Sequence, residues 1–369
     1  MNNSNYLPGT HPNLPPPANT VGFVHWLRTN LFSGPINSLV TLAALWALAT
    51  LLPPLIDWFF LDAVYTGASR QECEAQGDGA CWAFISERFN LFVYGFYPEH
   101  LRWRVDLAAI LLALALAIVL WDRFPYRKQA MLFSVAYPFI AAWILVGGAG
   151  LEPVDTSDFG GIMLTLVIGV TGIAFSLPLG ILLALGRQSD LPVIKMLSVG
   201  FIEFIRGVPL ITLLFIASAM LSYFMPPGTT FDLLMRVLIM VVLFSAAYLA
   251  EVIRGGLQAL PKGQIEAAEA LGLNYWQAMR LIILPQALKI SIPGIVNTFI
   301  GLYKDTTLVL IIGLMDPLGV GKSSLASSNW FGLSVEVYLF VAVFFFISCF
   351  AMSRYSLYLE NKLHTGHKR

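Results

Sequence analysis

Charge is what this sequence has least of: 22 Lys and Arg and 22 Asp and Glu make up 12% of its 369 residues, about half the share of an ordinary soluble domain. That shortage excludes a water-soluble enzyme. A formal net charge of zero also removes any global field that would draw nucleic acid. Histidine is scarce, and the five present, His11, His25, His100, His364 and His367, lie in tails and loops without ligand spacing, so no metal centre is expected. The first twenty residues, with PNLPPPANT, lack the basic start, short apolar core and small-residue cleavage site of a signal peptide, and a disordered tail is expected there. Alternating segments of about ten residues are missing too, which excludes a transmembrane β-barrel.

Apolar residues are abundant, at 57%. Runs such as VDLAAILLALALAIVLW, Val105 to Trp121, are apolar throughout but for Asp106 and approach the ~20 residues that cross a ~30 Å hydrocarbon core as a helix. The expected fold is all-α, a polytopic membrane bundle of about eight transmembrane helices, near 36–56, 105–121, 131–149, 161–185, 208–224, 233–253, 287–314 and 333–352. An even number of passes puts both termini on one side. Most of the 22 Lys and Arg fall in the tails and loops of that side, Arg123, Arg127, Arg187, Lys195, Lys262, Arg280 and Lys368 among them, so that side is expected to be cytoplasmic. Residues 21–33, VGFVHWLRTNLFS, form either an amphipathic helix at the interface or a plain lead-in to the first span. The large external loop, 57–104, holds Cys73 and Cys81, which outside the membrane could close a disulfide or stand as two thiols. Cys349, in the last span, is expected to be a small core residue.

Function is expected in the second half, where Gly, Pro and charges enter the spans. The stretch IEAAEALGLNYWQAMRLIILPQ, Ile265 to Gln286, cannot cross a bilayer, and it falls on the cytoplasmic side. Glu, Ala, Leu and Gln favour a helix that Gly272 ends in the left-handed conformation. Asn274 and Gln277 are spaced as a capping pair that starts a second helix, with Trp276, Met279, Ile282 and Ile283 at helical spacing, and Pro285 suits a first turn. Ala267, Ala268 and Ala270 would offer a small-residue face to another protein.

The order Glu266-Ala267-Ala268, three residues, Gly272, nine residues, Ile282, one residue, Leu284-Pro285 resembles the EAA signature of ATP-binding-cassette importer permeases at every specified position. Arg206-GVPL, the run AAYLAEVIRGGLQALPKGQ before the signature, LPQALK and Lys304-DTTL resemble the polar amino-acid branch, over about residues 155–355. GACWAFI in the external loop, with Tyr97-Pro and Trp103-Arg, is similar to the long permeases of general L-amino-acid uptake systems.

The resemblance implies a type I importer core of five helices at 158–355. An extension at 36–157 would precede it, with a tail and possible interfacial helix at 1–35 and a cytoplasmic tail at 356–369. It implies that Glu266, Ala267, Ala268, Gly272, Leu284 and Pro285 form a coupling helix seated in a separate ATPase subunit, which binds the ATP and Mg while this chain binds no cofactor and is no enzyme. The other implied partners are a second permease, identical or related, a periplasmic amino-acid-binding protein, the amino-acid substrate and the bilayer of the bacterial inner membrane, where the chain is multi-pass. The alternative is a self-contained ion-coupled carrier.

GVGKSS, Gly319 to Ser324, superficially resembles a phosphate-binding loop, yet the glycine required five residues before its GK pair is Asp316 and no strand precedes it. An external turn with Lys322 in solvent is expected instead. Lys304, Asp305 and Thr306 lie in a segment broken by Pro293, Gly294 and Gly301. A mid-bilayer charge costs about 2.5–3.5 kcal/mol on insertion scales, so these residues either line the translocation path or form an internal salt link. Glu203 and Arg206, and Glu251 and Arg254, are each spaced to share a helix face, as surface pairs or as crosslinks between helices that shift on gating. Thr165, Thr171, Ser176 and Thr298 are expected to hydrogen-bond between helices brought close by Gly169, Gly172 and Gly180.

Overall fold

A computed structural model of the chain describes residues 22–363 except 122–123, 125, 221–222 and 224–230. The proline-rich start, Arg123, His11, His364, His367, Lys368 and Arg369 lie outside the described residues. Among the described residues every named element is helical, and seven helices are long and apolar enough to cross a membrane, or eight if one bent pair counts as a span. The chain divides into two compact units. One runs up to Thr66 and takes in Glu72–Trp82; the other comprises Gly67–Gln71 and everything from Ala83.

The first unit begins with α1 (Phe23–Asn30), none of whose residues is buried; Phe23 and Trp26 stack on it at 6.3 Å. α2 (Pro35–Ile56) starts on Pro35, whose missing N–H costs nothing at a first turn. Pro53 and Pro54 in its last turn remove donors that a continuing α-helix would use, and the chain passes into a π turn at Asp57–Leu61. Cys73, on α3 (Arg70–Gln76), is disulfide-bonded to Cys81 across eight residues, and Ala80 donates its N–H to Trp58 O (2.8 Å) while its own carbonyl accepts from Val64 N (2.9 Å). Closing so short a loop stabilises by about 2–3 kcal/mol. Replacing both cysteines by serine is therefore expected to make residues 57–82 the first protease-sensitive segment of the chain. Limited proteolysis with and without reductant checks this.

In the second unit, α4 (Ala83–Glu87) and α5 (Phe89–Tyr94) precede the hairpin α6 (Arg102–Leu120) and α7 (Arg127–Val146). α8 (Gly161–Gln188) packs along α11 (Leu233–Gln258), and α14 (Leu284–Asp305) crosses α11 and packs on α16 (Ser334–Leu363). The close approach of α8 depends on its glycines. A Cβ on Gly180 would lie 2.7 Å from Leu249 Cβ, and one on Gly169 would lie 3.0 Å from the Tyr303 ring.

Three expectations are corrected here. The span expected at 208–224 is a broken pair, α9 (Pro192–Gly207) and α10 (Leu210–Phe215, continued by a π turn to Met220), bent by 102°. Pro209 causes the break: it forces Val208 into an extended conformation and cannot supply a helical N–H. GVGKSS is not a turn but part of a buried helix, α15 (Pro317–Ser324). Asp316 caps it through Gly319 N (2.9 Å), a Cβ on Gly321 would meet the Phe92 ring at 3.2 Å, and Lys322 alone of the GK pair reaches out, 5.6 Å from the Tyr338 ring. Burial pushes the Asp316 carboxyl up to about 6 against the pull of the Gly319 and Leu318 amides. The hydroxyl crosslinks also differ from expectation. Thr165 and Ser176 are buried with no partner among the described residues, and Thr298 donates to Gly294 O of its own helix at 2.9 Å. Ser291 makes a cross-helix bond instead, to Val252 O at 3.2 Å.

Candidate functional site

The segment after α11 folds as two short helices about a glycine. α12 (Gly263–Ala270) ends where Gly272 adopts φ +73°, and Gly272 N and Leu273 N donate back to Glu269 O (2.8 Å) and Ala268 O (3.2 Å). Carbonyls left open by the helix end are thus satisfied locally. α13 (Tyr275–Ala278) begins on a reciprocal capping box: Asn274 Oδ1 accepts from Gln277 N (2.9 Å) and Gln277 Oε1 from Asn274 N (3.0 Å). A π turn at Met279–Ile283 then joins α13 to α14, with Pro285 in its first turn. Gln286 Nε2 reaches back to Gln264 Oε1 at 3.1 Å, tying α12 to α14.

The two faces of this element differ. Ala268, Ala278, Ile283 and Ala287 are buried, whereas Ala267, Ala270 and Glu266 are exposed, so the expected small-residue face is divided rather than continuous. Leu271 is 75% exposed and Trp276 68% exposed, one on each side of Gly272. Trp276 therefore does not share a face with Ile283, because the extra residue of the π turn between them breaks the 3.6-residue phase. Replacing Gly272 by valine is expected to cost about 1–2 kcal/mol from its positive φ alone, since nothing lies within 4 Å of the added Cβ. Hydrogen exchange of residues 263–278 in the two forms measures this.

Around the end of α8 stands an ion cluster. Glu251 on α11, 14% exposed, meets Arg187 of α8 at 3.0 Å, Arg254 at 2.8 Å and Arg206 of α9 at 3.7 Å. Arg187 also holds Glu203 of α9 at 2.7 Å. Glu251 and Arg254 pair within their helix as the spacing suggested; Glu203 and Arg206 do not pair with each other but reach separate partners across helices. Arg187, the group common to α8, α9 and α11, was missed in the sequence because the carboxylate at helical spacing from it, Asp190, lies beyond the end of α8, and its partners Glu203 and Glu251 come from other helices.

At the end of α14, Lys304 is exposed and Asp305 half-buried, and Thr306, just past it, is buried with its hydroxyl donating to Tyr303 O (2.8 Å). Lys304 and Asp305 form no ion pair with each other among the described residues. Asn297, two turns before Lys304 and also exposed, extends the same polar edge and carried no sequence motif.

An all-helical bundle with a rigid, glycine-hinged element exposed between two spans is the build of a membrane transport permease. The chain belongs to the family described as binding-protein-dependent transport system inner membrane component, which residues 176–365 match, and it is an amino-acid ABC transporter permease. It is 50% identical over 359 residues to the inner membrane amino-acid ABC transporter permease protein YhdY of Escherichia coli, covering 97% of each chain. It is 48% identical to the glutamate/glutamine/aspartate/asparagine transport system permease protein BztC of Rhodobacter capsulatus, covering 96% of each. A shorter relative, the probable glutamine ABC transporter permease protein GlnM of Bacillus subtilis, is 34% identical over 205 residues, which are 91% of that protein and 55% of this one.

Proposed function

We propose that this permease admits polar or broad-range L-amino acids and is driven from the cytoplasm through the Gly272 element. The exposed pair Leu271 and Trp276 beside a capped, glycine-hinged turn carries this reading, because such a knob can sit in a cleft and move as a solid body where a loop would yield. Glu266, Ala267, Ala268, Gly272, Leu284 and Pro285 build that knob and its joint to α14. The occupant is a separate ATPase dimer that binds ATP and Mg; this chain carries no cofactor. A second permease, identical or related, completes the path, and a periplasmic binding protein delivers substrate. Both termini are cytoplasmic. The core at 158–355 does the transporting, with residues 36–157 as an added extension. Gentle purification of the tagged chain tests the partnership: an ATPase and a second permease come with it, and recovery of the chain alone, transporting on an ion gradient, would overturn the reading.

Lys304 and Asp305 take the two charged ends of the amino acid in this scheme, and the Arg187–Glu251 cluster latches the helices near the cytoplasmic mouth. Asp305→Asn is expected to raise the half-saturating amino-acid concentration about tenfold, the loss of one charge-assisted hydrogen bond. Uptake kinetics in vesicles check it, and unchanged kinetics would leave Asp305 a structural group.

A further inference from the structure

We propose that a cleft between the α6–α7 hairpin and the core is a binding site for a phospholipid with an ammonium headgroup, phosphatidylethanolamine being the probe. The cleft holds about 520 Å³ and is walled by Ala109 and Leu112 of α6, Ala142 of α7, Val170 of α8 and Leu238 of α11. Its length identifies the occupant. Along α11 it runs from Asp232 to Leu243, a rise of about 16 Å, and away from Asp232 it is lined by the edge-to-face pair Phe139 and Phe175 at 5.5 Å. One leaflet of hydrocarbon is about 15 Å deep, half the ~30 Å core. An acyl chain fits that depth, while a partner's transmembrane helix would need the full thickness.

The walls offer almost nothing polar within. The hydroxyl of Tyr137 is spent on Ala108 O at 2.9 Å. Thr171 of α8 also lines the cleft, and the charged groups gather at the outer end, where Thr156 donates to the Asp232 carboxylate. Asp155 and Asp158 flank Thr156, and the Ser157 amide holds the Asp155 carboxyl below its ordinary range, hence ionised. The next cation along α11, Arg236, is turned to the carbonyls of Phe231 (2.7 Å) and Ser218 (2.7 Å). The Asp232 carboxylate, which lines the mouth of the cleft and also caps α11 by accepting from Met235 N (2.8 Å), and the Asp155 and Asp158 carboxyls of the adjoining turn favour an ammonium over a headgroup of net negative charge.

The test uses the full complex, reconstituted in discs of phosphatidylethanolamine or phosphatidylglycerol, re-extracted in detergent and weighed by native mass spectrometry. About one phosphatidylethanolamine per chain is expected to survive extraction, about fivefold above phosphatidylglycerol. Ala142→Trp, which fills the cleft, is expected to lose it. Asp158→Lys, at a half-buried position that does not line the cleft, is expected to keep a bound lipid and abolish the headgroup preference. No retained lipid, equal retention of both headgroups by the unaltered chain, or undiminished retention by a correctly assembled Ala142→Trp complex would each overturn the proposal.

Discussion

Glu251→Ala is expected to destabilise the permease by about 2–4 kcal/mol and to abolish uptake. Removing one partner of a fully buried ion pair costs about 3–5 kcal/mol, and Glu251, at 14% exposure, falls a little short of that limit. Its loss leaves Arg187, Arg206 and Arg254 crowded about the single carboxylate of Glu203, which already accepts from Arg187. The end of α8 would then be pushed away from α9 and α11. Glu251→Gln keeps the shape and the acceptor oxygen but removes the charge, and should fall between the parent and the alanine form. Thermal unfolding of the purified complex gives the order; equal midpoints for all three would deny the cluster any role in holding these helices.

Gly256→Val should be as damaging for a different reason. At this position α11 and α14 cross so closely that an added Cβ would overlap Ser291 Oγ and lie 2.6 Å from Ala287 O. Overpacking of a filled core costs about 1–3 kcal/mol, and one of the atoms in the way is backbone, which cannot swing aside. The crossing is also where α14, leaving the glycine-hinged element, first meets the core: Ala287 is fully buried, and Ile283 nearly so, in one cluster with Ile253 and Leu257. Separating the helices here would break the connection between the element and the bundle. Gly255→Val supplies the comparison, since no atom lies within 4 Å of its added Cβ. Vesicle uptake should fall to background for valine at 256 and stay near the parent level for valine at 255.

The sequence made the local features readable and hid the tertiary ones. Gly272, Asn274, Gln277 and Pro285 each satisfy or withhold backbone hydrogen bonds within a turn of themselves, so their roles follow from spacing alone. The same holds for the long apolar spans. What spacing could not supply was any partner set by packing. Glu203 sits three residues before Arg206 yet pairs with Arg187 of another helix, because the contact between α8 and α9 brings that guanidinium nearer. Trp276 shares a 3.6-residue stripe with Ile283 in the sequence, but a π turn shifts the phase between them. The break between α9 and α10 was announced by Gly207-Val208-Pro209; the apolar run on both sides concealed it. Buried α15 has the glycines of a turn, and Phe92 and Val337, distant in sequence, make them helical packing residues instead.

In the proposed scheme force enters this chain through the exposed knob about Gly272. Its direct test is a complex carrying Leu271→Asp and Trp276→Asp, two exposed positions whose change leaves the bundle's packing untouched. ATPase content, ATP hydrolysis and amino-acid uptake are measured together in proteoliposomes. A folded permease that loses its ATPase and transports at background rate is expected; full uptake with the ATPase still bound and cycling would contradict the scheme.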